Sequence, residues 1–344
     1  MQEQKSVNLA LQGGGAHGAF TWGVLDKLLE DGRVEIDGLC GTSAGAMNAV
    51  VYAYGKMTGD RDGAREKLHE FWHRTSKAGQ LYSPVRAMPE FLMPGLDSQF
   101  GVAATHWMFE SFTRMFSPYQ FNPCDFNPLK DVLESVVDFD ELRRCYCTNL
   151  FLCATNVRTS KVRIFRNPDL SASAVRASAC LPFIFKAVEI EGEHYCDGGY
   201  MGNPVIYPLF YHTKPADIVI VHINPIYREK LPTTPPEIAN RVNEISFNTS
   251  LLREMRAVEF ASRMVEEGWL KDEYKGRIRR MLIHSVRCDA TTAELSVSSK
   301  LSPDWKFLTG LRDRGRAIAA RWLDNHFDHL GQRSTVDIRR EFLE

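Results

Sequence analysis

The chain has 344 residues, 44% hydrophobic and 25% charged, with a formal net charge of −1, enough length for one large or two ordinary domains. That balance excludes disordered and collagen-like classes and gives no electrostatic footprint for nucleic acid or an anionic membrane. MQEQKSVNLAL at the start has neither a basic n-region nor a long apolar stretch, and no later run reaches bilayer length, so the expectation is a soluble, cytoplasmic protein.

The first apolar segment, Val7 to Leu11, reads as a strand and runs into GGGAHG at 13–18; Ala19 to Leu29 then reads as a helix. Gly13, Gly15 and Gly18 satisfy G-x-G-x-x-G in the strand-to-helix context of a dinucleotide loop, and Glu35 or Asp37 stands where a ribose-binding acid belongs. The same geometry, bare backbone amides backed by a helix N-terminus, equally suits the oxyanion of acyl transfer. A turn without a ligand is the plain alternative, although consecutive glycines are costly to order.

The second strand, Ile36 to Cys40, ends in CGTSAGAMNAV. Ser43 stands between Gly41 and Gly45 in G-x-S-x-G, at a strand-to-helix junction where a nucleophile elbow needs small neighbours. A serine N-cap gives the same letters. Helical patterns follow over Ala44–Tyr54 and near Gly63–Arg74, the latter containing HEFWH, 69–73. His69 and His73 match the zinc motif H-E-x-x-H, but no third ligand follows at an obvious spacing, and Phe71 and Trp72 also suit plain helix packing. HFDH, His326 to His329, reads as a solvated helix end.

A Pro- and aromatic-rich stretch, Tyr82 to Pro128, interrupts the pattern. Within it, THWMFESFTRMFSPYQF at 105–121 sets Met108, Phe112 and Met115 at helical spacing, widened by Phe109 and Phe116 and preceded by Trp107. Such a face packs inward as a cap helix or touches lipid as a lid. Strand patterns return at Asn149–Asn156, Lys161–Arg166, Ala187–Tyr195 and Asp217–Ile223. Alternation of strands and helices on both sides of the insertion implies a mostly parallel sheet covered by helices. After REKLPTTPPE, amphipathic patterns over Ile238–Leu270 and Trp305–Leu330, the latter ended by Gly331, describe a mostly helical C-terminal part.

Eight cysteines, at 40, 124, 145, 147, 153, 180, 196 and 288, lie largely in apolar surroundings and read as free thiols. Cys145 and Cys147 alone do not make a zinc site.

A serine nucleophile needs a base. Triad order offers His212, His222 or His284 after an acid. EHYCDGGYMGNP offers a second arrangement, in which a strand ends at Asp197 and Gly198-Gly199 let its carboxylate turn into a site; an ordinary Asp-Gly turn is the alternative. Burial would raise the carboxyl pKa and make it a better proton acceptor.

GGGAHG at 13–18, GTSAG at 41–45 and DGG at 197–199, in that order and with ASACLPFIF at 177–185, resemble the patatin-like phospholipases, serine acyl hydrolases with a Ser-Asp dyad. The resemblance covers roughly residues 7–225. It implies a three-layer α/β/α fold with a central mostly parallel sheet, a catalytic core over 7–225 with the insertion at about 82–128, and a helical C-terminal extension over 226–344. It assigns Ser43 as nucleophile, Asp197 as general base and Gly13, Gly14 and Gly15 as the oxyanion frame, with Gly18, Gly41, Gly45, Gly198 and Gly199 in support. No histidine, metal or organic cofactor is implied. The substrate class is an acyl lipid, phospholipid first, with transient membrane contact possible; a thioesterase or acyltransferase on another carrier is the runner-up. A metalloprotease, a nucleotide-dependent oxidoreductase and a non-catalytic binding module are further alternatives. The family commonly has Arg or Lys where this chain has His17, so the resemblance supplies no fixed charge at the glycine loop.

Overall fold

The computed structural model describes residues 4–81, 115–274, 279–287, 295 and 298–344. Strand β1 (Lys5–Leu11) leads through a 3₁₀ turn into α1 (Gly18–Asp31), closed by a left-handed Gly32, and β2 (Val34–Gly41) leads into α2 (Ala44–Leu81). The two sequence-predicted helices over 44–74 are joined in α2, broken where Gly59 and Asp60 leave helical backbone geometry. Further along are α3 (Pro128–Val136), β3 (Asn149–Asn156), β4 (Val162–Arg166), α4 (Ala172–Ser178), β5 (Val188–Ile190) and β6 (Glu193–Asp197). The chain closes with α5 (Tyr207–His212), β7 (Asp217–Val221), α6 (Pro235–Glu266), β8 (Leu282–Val286) and α7 (Trp305–His326).

Among the described residues the strands form one eight-stranded sheet ordered β5-β6-β3-β2-β1-β7-β8, with β4 also paired to β3. The run β3-β2-β1-β7-β8 is parallel, while β4, β5 and β6 are antiparallel. Strand alternation sorts the core to two faces: Leu9, Leu11, Val219 and Val221 pack towards α1, α2 and α7, whereas Ala10, Ile218 and Ile220 pack towards α5 and α6. Burial on both faces is what makes these strands read as continuous apolar runs.

Two elements depart from the sequence pattern. The single strand expected over Ala187–Tyr195 is a hairpin, because Glu191 and Gly192 both take positive φ and turn the chain. The C-terminal part also adds strand β8 beside β7, beyond the expected core boundary at about residue 225; five residues, LIHSV, are too short to announce themselves against a helical background. Of the expected apolar helix at 105–121, Trp107, Met108, Phe109 and Phe112 lie outside the described residues. Met115 and Phe116 are exposed.

Candidate active site

Parallel strands β1 and β2 end side by side, Leu11 level with Gly41, so the glycine loop and the serine turn share one edge of the sheet, the edge where α/β sheets hold ligands. Ser43 sits at φ 55, an uncommon conformation for a residue with a side chain and the signature of an elbow. The turn is held by its surroundings. The Ser43 amide donates to the Ser178 hydroxyl (2.9 Å), at the end of α4, the Thr42 hydroxyl donates to the Gly202 carbonyl (2.7 Å), and the Met47 amide donates to the Ser43 carbonyl (3.1 Å) to start α2. A side chain at Gly41 would press on the Gly45 backbone (2.6 Å), and one at Gly45 would collide with the Leu11 carbonyl. The elbow is thus wedged against β1.

Asp197 closes β6, opposite Ala154 of β3, and is 1% exposed. Its Oδ1 accepts the Gly199 amide at 2.7 Å. Burial raises its pKa from 3.8 to about 6, against opposing pulls from the Gly199 amide, the Ser43 hydroxyl and the Lys300 charge. The Ser43 hydroxyl favours the ionised carboxyl, while Oδ2 lacks a well-formed hydrogen bond among the described residues. Burial also pushes the neighbouring thiols up, Cys180 to about 12 and Cys196 to about 11, with the Asp197 charge adding to both. The carboxylate lies in a pocket that disfavours charge.

The glycine loop packs on the serine: a Cβ at Gly13 would stand 2.7 Å from Ser43 Cβ. Its three glycines are not equivalent. The Gly13 amide is committed to Asn203 Oδ1 (2.6 Å), and its carbonyl accepts from Asn224 Nδ2 (2.9 Å). Among the described residues the amides of Gly14 and Gly15 have no acceptor. Gly15 takes φ +59, and a side chain there would meet the Lys300 carbonyl. Gly18 starts α1, where a Cβ would lie 2.6 Å from Ala44 Cβ. Gly198 lies against the Cys153 carbonyl.

A buried amide framework underlies this loop that motif reading does not reveal. Gln12 Oε1 accepts the amides of Ile223 (2.8 Å) and Asn224 (2.9 Å), and its Nε2 donates to Asn203 O (3.2 Å) and Asn248 Oδ1 (3.1 Å). Every hydrogen-bonding atom of the Gln12 side chain that could orphan the core is thus used. Scattered Asn and Gln carry no spacing signal that could have singled them out.

Among the described residues no histidine hydrogen-bonds to Ser43 or Asp197. His222 turns to Ser285 Oγ (3.1 Å) and the Phe342 ring, and burial lowers it to about 3. His284 bridges Asp217 (2.9 Å) and Thr335 (3.0 Å). His212 accepts from Arg166 (2.6 Å). His17 contacts Ser299 Oγ (2.7 Å), and burial, with Lys300 nearby, lowers it to about 3, so it is a neutral imidazole. The rings of His69 and His73 lie 6.0 Å apart and pack edge-on to Trp305. Among the described residues no three His, Cys, Asp or Glu side chains gather as metal ligands. Glu35 pairs with Lys56 (3.3 Å) and Arg61 (3.8 Å), and Asp37 accepts the Lys214 amide (3.0 Å). Cys145 and Cys147 place their sulfurs 2.6 Å apart.

The candidate site thus holds a serine at positive φ, a buried carboxylate and two amides without an acceptor among the described residues. The family model for patatin-like phospholipase matches residues 9–210, more than half of the chain, and the chain belongs to that family. Membership implies lipid acyl hydrolase activity. Among solved structures the chain is similar to VipD from Legionella pneumophila at 17% identity and TM-score 0.44, over 94% of this chain and 67% of that one. No curated protein matches. Among the described residues no helix is long and apolar enough to cross a membrane.

Proposed function

We propose that the protein cleaves acyl esters of lipids, phospholipids first, through a covalent acyl-serine made by a Ser43–Asp197 dyad. Asp197 takes the hydroxyl proton as Ser43 Oγ attacks the ester carbonyl carbon, and the oxyanion formed collects the amides of Gly14 and Gly15. Gly13 holds the loop through Asn203 and Asn224 and does not donate to the oxyanion. As the tetrahedral intermediate collapses, the C–O bond to the alcohol breaks and the departing oxygen takes the proton from Asp197. Water then attacks the acyl-serine while Asp197 accepts its proton. Expulsion of Ser43, which recovers that proton, releases the carboxylic acid. A base with pKa about 6 is ionised at neutral pH yet a better proton acceptor than an exposed aspartate.

The observation that carries this reading is the buried Asp197 carboxyl with one oxygen lacking a well-formed hydrogen bond and its protonation influenced by Ser43. Its test is labelling with a soluble fluorophosphonate, followed by peptide mass spectrometry. The phosphonyl mass is expected on the peptide containing Ser43, and to vanish in Ser43→Ala. Labelling of another serine, or full ester hydrolysis in folded Ser43→Ala, overturns it.

A further inference from the structure

His17 is neutral, so the side chain inside the glycine loop contributes no charge. A cation nevertheless reaches the loop from far along the chain. Residues Ser298–Leu301 form a short 3₁₀ turn ahead of α7. From it the Lys300 carbonyl closes over Gly15, and the neighbouring Ser299 hydroxyl meets His17 (2.7 Å). The Lys300 ammonium turns inward and donates to Asn224 Oδ1 (3.0 Å) and Asn243 Oδ1 (3.1 Å), 5.5 Å from the Phe247 ring centre. Asn224 passes the restraint on, its Nδ2 donating to the Gly13 carbonyl. Among the described residues no carboxylate lies within ion-pair distance of Lys300; its nearest partners are amide oxygens. Burying an ammonium on neutral acceptors is costly, and burial lowers Lys300 to about 8, partly offset by the charges of Glu244 and Asp197.

Building on the dyad reading above, we propose that Lys300 is the positioning cation of the glycine loop and of the Asp197 turn: through Asn224 it fixes the Gly13 carbonyl, its own carbonyl closes over Gly15, and its ammonium stands 5.5 Å from the centre of the Phe247 ring, against which Gly199 packs. The titratable and charged groups facing its ammonium are Asp197 at the end of β6, Glu244 of α6 and His17 of the loop. Glu244 is already engaged by Arg228 (2.8 Å) and Arg241 (3.2 Å), which leaves Asp197 as the group whose protonation Lys300 can bias. The tether is unusual in its reach, because a residue beyond the family match at 9–210 then sets the geometry of a loop at its start.

The test compares Lys300→Met, Lys300→Gln and Lys300→Arg with the wild type in hydrolysis of a short soluble ester from pH 5 to 9. Lys300→Met is expected to lower kcat by about 10²-fold with KM within about 3-fold, the scale of losing one oxyanion contact. Its acidic limb should move to higher pH, raising the ratio of activity at pH 8 to that at pH 6 by about threefold or more, because the base is harder to ionise without the nearby charge. Lys300→Arg keeps the charge and should return the limb to the wild-type position even if kcat recovers only in part. Should Lys300→Met fail to fold, Lys300→Gln retains amide donors for Asn224, and the same limb shift is expected of it. An unmoved limb in the folded neutral variants, or activity lost only in step with a lowered Tm, overturns the inference. Survival of activity in Ser43→Ala instead removes the dyad on which it rests, and that failure is distinct from a neutral Lys300 in an enzyme that requires Ser43.

Discussion

Asp197→Asn separates the chemistry of the buried carboxyl from its energetic cost. The substitution keeps an oxygen to accept the Gly199 amide, made at 2.7 Å in the wild type, and replaces an ionisable group by a neutral one of equal shape. Burial raises Asp197 from 3.8 to about 6, so the folded chain holds this proton more tightly than the unfolded one. Wild-type stability from this group is therefore greatest below about pH 4, declines as pH rises towards 6, and stays reduced above it. At about 1.4 kcal/mol per unit, the ionised carboxylate costs about 3 kcal/mol at pH 8 and about 0.5 kcal/mol at pH 4. Asp197→Asn should thus be more stable than the wild type at pH 8 by up to about 3 kcal/mol, with most of that advantage gone at pH 4. The same variant should hydrolyse esters about 10⁴-fold more slowly, on the scale of triad enzymes. Urea unfolding at the two pH values, with kcat/KM measured on the same preparation, checks both halves. A stability gap that does not change with pH would refute the burial argument, and near-wild-type hydrolysis would remove Asp197 from the chemistry.

Other outcomes follow from neighbouring geometry. In the wild type, kcat/KM should fall as pH drops through about 6, where Asp197 takes up its proton; a profile flat down to pH 5 contradicts this assignment. Gly15→Ala must hold a side chain at φ +59 against the Lys300 carbonyl, so kcat should drop by about 10²-fold and Tm should fall; unchanged kinetics would take the Gly15 amide out of the mechanism. Ser43→Ala and Asp197→Asn should combine to a loss no greater than either alone, whereas multiplicative losses would show independent roles. His69→Ala should cost stability through lost packing on Trp22 and Trp305 but leave kcat and insensitivity to chelators intact, and zinc that leaves together with activity would reverse this.

Much of the sheet is legible because its strands are buried on both faces. Val7–Leu11, Asn149–Asn156 and Asp217–Ile223 announce themselves as largely apolar runs, and β1, β3 and β7 coincide with them to within two residues. The hairpin at Glu191-Gly192 hides inside the strand pattern of Ala187–Tyr195 because its turn needs only two positive-φ residues, and β8 hides because it is short. At the site, the glycines, Ser43 and Asp197 are visible since turn geometry demands small residues at fixed spacing around them. Gln12, Asn203, Asn224, Ser178 and Lys300 are not. Gln12 meets its side-chain partners, and the others the loop or elbow they hold, across separations of 135 residues or more, and a single polar residue in a sequence looks the same whether it caps a turn in water or satisfies a buried amide. His17 is the instructive case: the letter leaves the loop without the family's fixed charge, and only the fold brings Lys300 against it.

The most direct test of the acyl-serine account is rapid acid quench of the wild-type protein during turnover of a p-nitrophenyl ester, followed by peptide mass spectrometry. The account predicts the acyl mass on the peptide carrying Ser43, formed no more slowly than the first burst of p-nitrophenol and absent from Ser43→Ala. Turnover with the acyl group on any other residue, or with no acyl-enzyme and undiminished activity in Ser43→Ala, would contradict it.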